Sequence, residues 1–147
     1  MLDPFHLPAL LISWGLVVLI WIVQLVHYPS FHYIDSAKFI DFHSHHSTSI
    51  TIIVMPLMLA ELTISFFLAY RTGFAPLESL ALAMVVGVWL STFLIQIPLH
   101  DQLSDGNNST IITKLVNTNW IRTILWSCKA ILLTWGYADV WMCGLID

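Results

Sequence analysis

The stretch FIDFHSHHSTSIT, from Phe39 to Thr51, holds His43, His45 and His46 immediately before a long apolar run. On a helix, His43 and His46 stand three residues apart and share one face. Two imidazoles so placed can bind one transition metal. His45 points about 100° away and makes a poorer ligand. Further ligands would come from His27 and His100, elsewhere in the chain. Imidazole suits Zn, Cu or Fe, and a non-covalent haem held by histidines of two helices is the other reading. No C-x-x-C-H motif occurs, so covalent haem attachment is excluded.

Two charges lie inside apolar runs: Glu61 in PLMLAEL and Lys129 in LWSCKAI. A charge near the centre of a bilayer costs about 2.5–3.5 kcal/mol on insertion scales, so it normally faces protein or water. Counted from the ends of their runs, the two differ in depth by about 3 Å at ~1.5 Å per residue. A Glu61–Lys129 pair inside the bundle is therefore expected. Glu61 also lies about five helical turns beyond His43, on the same face. Near the other end of the Lys129 run, Asn119, Arg122, Trp126 and Lys129 follow helical steps of three and four and form one stripe. Thr92, Gln96 and His100 repeat every four residues, and Gln24 and His27 stand three apart.

The elements that must carry these residues are four apolar runs: Pro8–Val26, Ile50–Tyr70, Leu77–Leu99 and Trp120–Ala138. Each approaches the ~20 residues a helix needs to span ~30 Å of hydrocarbon. Lipid satisfies no backbone polar group, so helices are the economical solution; the runs lack the alternation of a barrel strand. The expected fold is an all-α membrane protein, one antiparallel bundle of four transmembrane helices. Pro56 is expected to kink the second. RTGFAP is a tight turn. The two longer connections carry a Ser36 cap for a short helix from Ala37, a turn at Asp105–Asn107 and a short amphipathic helix over Thr110–Val116. Folded up and down, the chain collects every histidine but His6 at one end, with Asp101, Asn117, Asn119 and Arg122. The other end keeps the short turn and both termini. A polar cavity opening at the crowded end and reaching Glu61 and Lys129 follows.

Composition agrees. The chain of 147 residues is 58% hydrophobic and 10% charged, with mean hydropathy +0.81, against about 25% charged in soluble domains. Five Lys+Arg against nine Asp+Glu leave no basic patch for nucleic acid. Cys128 and Cys143 would stand about 22 Å apart on one helix, too far for a disulfide. Without Lys or Arg before it, the first run reads as a retained span rather than a signal peptide. Trp120, Trp135 and Trp141 suit a membrane-interface belt, while Trp14, Trp21, Trp89 and Trp126 suit packing inside spans. NNST carries glycosylation sequons at Asn107 and Asn108. Lys38, Lys114 and Arg122 against Arg71 place the histidine end in the cytoplasm by positive-inside counting.

VHYPSF, FHSHHS, IPLHDQL and LVNTNWIRTILW together resemble a group of uncharacterised bacterial four-helix membrane proteins, which implies a bacterial inner membrane. The Asn119-x-x-Arg122 pattern is loosely similar to the anthrone oxygenase-like membrane family. That likeness implies oxygenase chemistry on a polyketide-like aromatic, which is not carried to these residues. The expected function is a membrane protein with a histidine-rich cavity that binds a metal or haem in a redox role, with Arg122 and Lys129 facing an anionic group. The alternatives are an accessory subunit of a larger membrane complex, or a small transporter acting as a homo-oligomer.

Overall fold

The computed structural model describes residues 4–143, with side chains described to residue 138. It contains four long helices and, among the described residues, no strand: α1 (His6–Tyr33), α2 (Phe39–Arg71), α3 (Pro76–Leu103) and α4 (Ser109–Cys143). The first three are long and apolar enough to cross a membrane.

The boundaries follow from local chemistry. α2 starts at Phe39, because Phe39, His43 and His46 already continue its buried stripe of Val54, Met58 and Glu61. No separate helix starts at Ala37. Asp35, not Ser36, supplies the local cap, its Oδ1 accepting the Ala37 N–H at 2.8 Å. The short helix expected over Thr110–Val116 is the beginning of α4. Asn108 Oδ1 accepts the N–H groups of Thr110 and Ile111 at 3.1 and 3.3 Å, capping it. Ile112 and Leu115 then extend the stripe of Asn119, Arg122 and Trp126 backwards by the same steps, and all five are buried. α2 is closed by Gly73, whose φ of +64° suits glycine.

The antiparallel order is fixed by side-chain register. From the mid-bundle to the histidine end, Trp14 donates to Thr134 at 3.0 Å, Trp21 to Ser127 at 3.2 Å and Gln24 to the Val116 carbonyl at 3.0 Å. α1 and α4 therefore run oppositely. α2 opposes α1 likewise, with Phe5 on Phe67 at one end and Tyr28 beside His46 at the other. α3 opposes α4. At one end the Leu77 side chain lies over Gly136, where a Cβ would collide with it, and at the other Gln96 donates to Thr118 at 3.2 Å. The described chain begins and ends at the end bearing the Thr72–Ala75 turn, as the His6–Tyr137 ring stack shows.

The core is centred on Leu16, Ile20, Met58, Val88, Trp126 and Ala130. Leu11, Val18, Ile52, Leu90, Leu94 and Ile124 are exposed on the outer faces of the helices. Trp14 and Trp21 correct the expected packing role: both are exposed and clasp α1 to α4 from outside through their indole N–H groups. Cys128 is a free thiol on the surface; Cys143 and Trp141 have side chains outside the described residues.

The helix α2 remains α-helical through Pro56. Irregular turns occur in α1 and α3, as π-helical segments at Val23–His27 and Thr92–Gln96. Pro29 and Pro98 follow them. A proline cannot donate to the carbonyl four residues back and its ring crowds that carbonyl. Leu25 and Leu94 occupy those positions, and the wider π turn makes room.

Candidate functional site

The histidine end is assembled from all four helices. The last turns of α1 present His27 and Tyr28, the first turns of α2 present His43, His46 and Ser47, the end of α3 presents Gln96 and His100, and α4 contributes Asn119 and Arg122. His43 and His46 are both buried on the α2 face that meets the bundle, while His45 is exposed, as their spacing predicts.

The histidines meet as two pairs. His43 Nε2 lies 3.0 Å from His100 Nδ1, and the rings stack at 5.2 Å between centroids. The other nitrogen of His100, Nε2, lies 3.1 Å from the Tyr28 hydroxyl. Ser47 Oγ lies 3.4 Å from His43 Nε2. The second pair is a ring contact, His27 to His46 at 5.4 Å, packed against Phe31 and Phe42. His46 Nε2 is buried without a hydrogen-bond partner. Among the described residues, no three His, Cys, Asp or Glu side chains are grouped to hold a metal ion. His43 Nε2 and His100 Nδ1 are paired with each other at hydrogen-bond distance.

The wider turn in α1 explains why Tyr28, not His27, carries the polar stripe. The expectation set Gln24 and His27 on one face. In the π segment, the residue four positions on comes round beneath Gln24. Tyr28 is 5% exposed and faces the site, whereas His27 is half-buried. Sequence reasoning missed Tyr28, although its spacing of four from Gln24 was a signal. Gln24 itself ties α1 to α4: it donates to the Val116 carbonyl and accepts from Asn119 Nδ2 at 2.9 Å and Thr123 Oγ1 at 3.3 Å. Asn119 is thus a structural partner of Gln24, with its Oδ1 lacking a partner. Asp101 is exposed at the bundle end.

Deeper in the bundle, Lys129 Nζ donates to Glu61 Oε1 at 2.8 Å and to Ser13 Oγ at 3.0 Å. Trp126 Nε1 donates to Glu61 Oε2 at 2.8 Å. Both carboxylate oxygens are satisfied, which a buried ion pair requires. Ser13 was not anticipated; it relays onward to the Ala9 carbonyl at 2.7 Å. Glu78, also unanticipated, is buried at the opposite end beside Ser65 and Tyr137.

Arg122 has no such arrangement. It is 6% exposed, its Nε has no partner, and among the described residues no carboxylate forms an ion pair with it. Its guanidinium lies in hydrogen-bonding reach of the Tyr28 hydroxyl, which accepts from it, and 5.2 Å above the Trp126 ring. Those contacts accommodate a cation but bring no carboxylate to it.

Arg122 borders a cavity of about 320 Å³. Its polar end is made by Tyr28, Gln96, His100 and Arg122; the remaining wall is chiefly apolar, with Met55, Met58, Trp89 and Phe93. Exposed Thr51, Phe93 and Ile97 also line it, so it opens on the outer face between α2 and α3. A second, polar pocket of about 340 Å³ lies at the bundle end, lined by His43, Ser44, Ser47, Thr48, His100 and Asp101 among others. The polar void does not continue to Glu61 and Lys129 as expected: neither borders the cavity, and Trp126 stands between Arg122 and Glu61, under the guanidinium and bonded to the carboxylate. No protein-family model, no curated protein and no solved structure matches the chain.

Proposed function

We propose that this chain is an integral membrane protein that binds a lipophilic molecule with an anionic headgroup. The headgroup meets Arg122, with Tyr28, His100 and Gln96 as hydrogen-bonding neighbours. The hydrocarbon body lies against Met55, Met58, Trp89 and Phe93, and the molecule enters from lipid between α2 and α3. In this reading α4 crosses the membrane with the other helices: it packs antiparallel to α1 and α3, and its polar stripe is turned inward, out of contact with lipid.

The observation that carries this reading is Arg122, a buried guanidinium at the end of an apolar cavity with, among the described residues, no carboxylate to neutralise it. Leaving a buried charge unpaired costs several kcal/mol, and an anionic ligand removes that cost. A guanidinium also suits a carboxylate geometrically, through two parallel N–H donors. The metal or haem reading has no comparable support, since the histidines form two pairs rather than a grouped donor set. An accessory role in a larger complex, or transport by a homo-oligomer, rests only on size and apolar surface.

Titration of the purified protein in lipid nanodiscs with dodecanoate, read by tryptophan fluorescence, tests the proposal. Trp89 lines the cavity and Trp126 lies under Arg122. Saturable binding by the wild type, loss in Arg122→Ala and weak response to uncharged dodecanol are expected. Equal binding of dodecanoate by Arg122→Ala would refute the reading.

A further inference from the structure

The headgroup end of the cavity is joined to the bundle end by a continuous line of hydrogen bonds. His100 borders both the apolar cavity and the polar pocket. It is the middle member of the series Tyr28 hydroxyl, His100 Nε2, His100 Nδ1 and His43 Nε2, with separations of 3.1 and 3.0 Å. Tyr28 faces the cavity, and His43 faces the pocket with Ser47 beside it. Apolar rings shield the line: Phe31 lies 5.8 Å and Phe39 5.9 Å from the His43 ring. A stack of two imidazoles bonded nitrogen to nitrogen is an expensive way to fill a core, because it buries polar atoms that leucine would not. It is an effective way to pass a proton.

We propose, resting on the binding reading above, that His43, His100 and Tyr28 conduct a proton from the bundle-end pocket to the ligand headgroup, and that the ligand is a lipophilic weak acid released to lipid in its neutral form. The step balances. The Tyr28 O–H proton passes to the bound carboxylate. Tyr28 then takes the Nε2 proton of His100, His100 Nδ1 takes the Nε2 proton of His43, and His43 takes a proton at Nδ1 from hydronium in the pocket, which leaves as water. One proton has moved from hydronium to the carboxylate. Tyr28 and both imidazoles end with the proton count they began with, and each bond in the line has reversed direction. No redox partner is involved. The neutral acid no longer pairs with Arg122 and partitions into lipid through the opening between α2 and α3.

The charged and titratable surroundings favour this neutral relay. Arg122 from α4 borders the same cavity end as His100, so an imidazolium there would face a like charge. His46 from α2 and His27 from α1 stand behind the line, and Asp101 stands at its open end in the pocket. Exchange of tautomers creates no charge on any of them.

The test separates binding from proton delivery. Protein in nanodiscs is loaded with a dansyl-labelled undecanoate under mildly alkaline conditions and mixed rapidly with mildly acidic buffer, and probe release is followed by fluorescence. His43 does not border the cavity, so His43→Ala and His43→Gln should bind the probe at alkaline pH within about twofold of wild type. Both should release it at least about tenfold more slowly after the acid jump. Free imidazole in the buffer should restore the rate of His43→Ala. Wild-type release rates in both variants would overturn the relay and leave the binding reading standing. Slow release that imidazole does not rescue, or loss of alkaline binding in both variants, would also overturn the relay, because His43 would then be shaping the protein. A wild type that takes up no probe ends both proposals.

Discussion

Lys129 Nζ and Glu61 Oε1 are 2.8 Å apart, and each side chain is 1% exposed. The lysine arrives from α4 and the glutamate from α2, at matching depth. Removing one partner leaves the other charge stranded in a medium that cannot solvate it. Glu61→Gln and Lys129→Met should each destabilise the protein by about 3–5 kcal/mol. The double substitution should cost less than the sum of the two. Reversible unfolding in detergent, arranged as a double-mutant cycle, measures the coupling; strict additivity would show that the contact contributes nothing.

Arg122 should behave in the opposite way. With no carboxylate partner among the described residues, its neutral replacement removes a buried charge rather than orphaning one. Arg122→Met should therefore leave stability unchanged or raise it by about 1–4 kcal/mol, as apolar replacement of buried ionic groups often does. Thermal unfolding without added ligand checks this. A loss of several kcal/mol would mean that Arg122 holds the bundle together.

Ligand should stabilise the wild type in turn. A molecule that binds only the folded state adds about 2.7 kcal/mol at a hundred times its Kd. A rise in melting temperature with dodecanoate, absent in Arg122→Met, is the expected result. An equal rise in both would mark it as a general surfactant effect.

His45 and His46 are adjacent in sequence but differ in burial. His45→Ala should change stability by less than about 0.5 kcal/mol, as exposed substitutions do. His46→Ala removes a ring packed on Phe31, Phe42 and His27 and should cost about 1–3 kcal/mol. Denaturant midpoints distinguish the two; equal midpoints would contradict the placement of His46 in the core.

Membrane crossing by α4 can be tested with single cysteines in a chain whose own Cys128 and Cys143 are replaced by alanine. Positions 36 and 106 should label with an impermeant thiol reagent from one side, and positions 73 and 138, the latter exposed near the far end of α4, from the other. Labelling of 106 and 138 from the same side would show that α4 does not cross, and labelling of 36 and 106 from opposite sides would break the up-and-down topology.

The sequence carried the parts of this arrangement that depend on count and period. Glu61 and Lys129 could be matched because depth in a helix is linear in residue number. Asn119, Arg122, Trp126 and Lys129 could be set on one stripe because a regular helix keeps its phase. The early start of α2 and the long N-terminal extension of α4 were written in the buried series Phe39–His43–His46 and Ile112–Leu115–Asn119, although capping residues and loop composition suggested separate short helices. What could not be read depended on side-chain rotamers and helix irregularity. Nothing in the spacing of His43 and His100 distinguishes two rings bonded to each other from two rings aimed at an ion. Tyr28 was hidden because the phase of α1 changes within Val23–His27. The cavity, too, arises from what side chains fail to fill, and a linear chain does not display that.

The paired π segments have a mechanical consequence. They lie at one level of the bundle, where Gln24 reaches Asn119 and Gln96 reaches the adjacent Thr118 of α4. Each shifts the helix beyond it by about one residue, roughly 100° of rotation. α1 and α3 therefore behave as shafts with a coupling partway along: below it the angular setting serves the packing of the bundle, above it the setting presents Tyr28 and His100. Deleting one residue within each segment would leave an unbroken α-helix with Tyr28 and His100 still on their inward faces, whereas winding the full-length segment as a regular α-helix would turn them about 100° away.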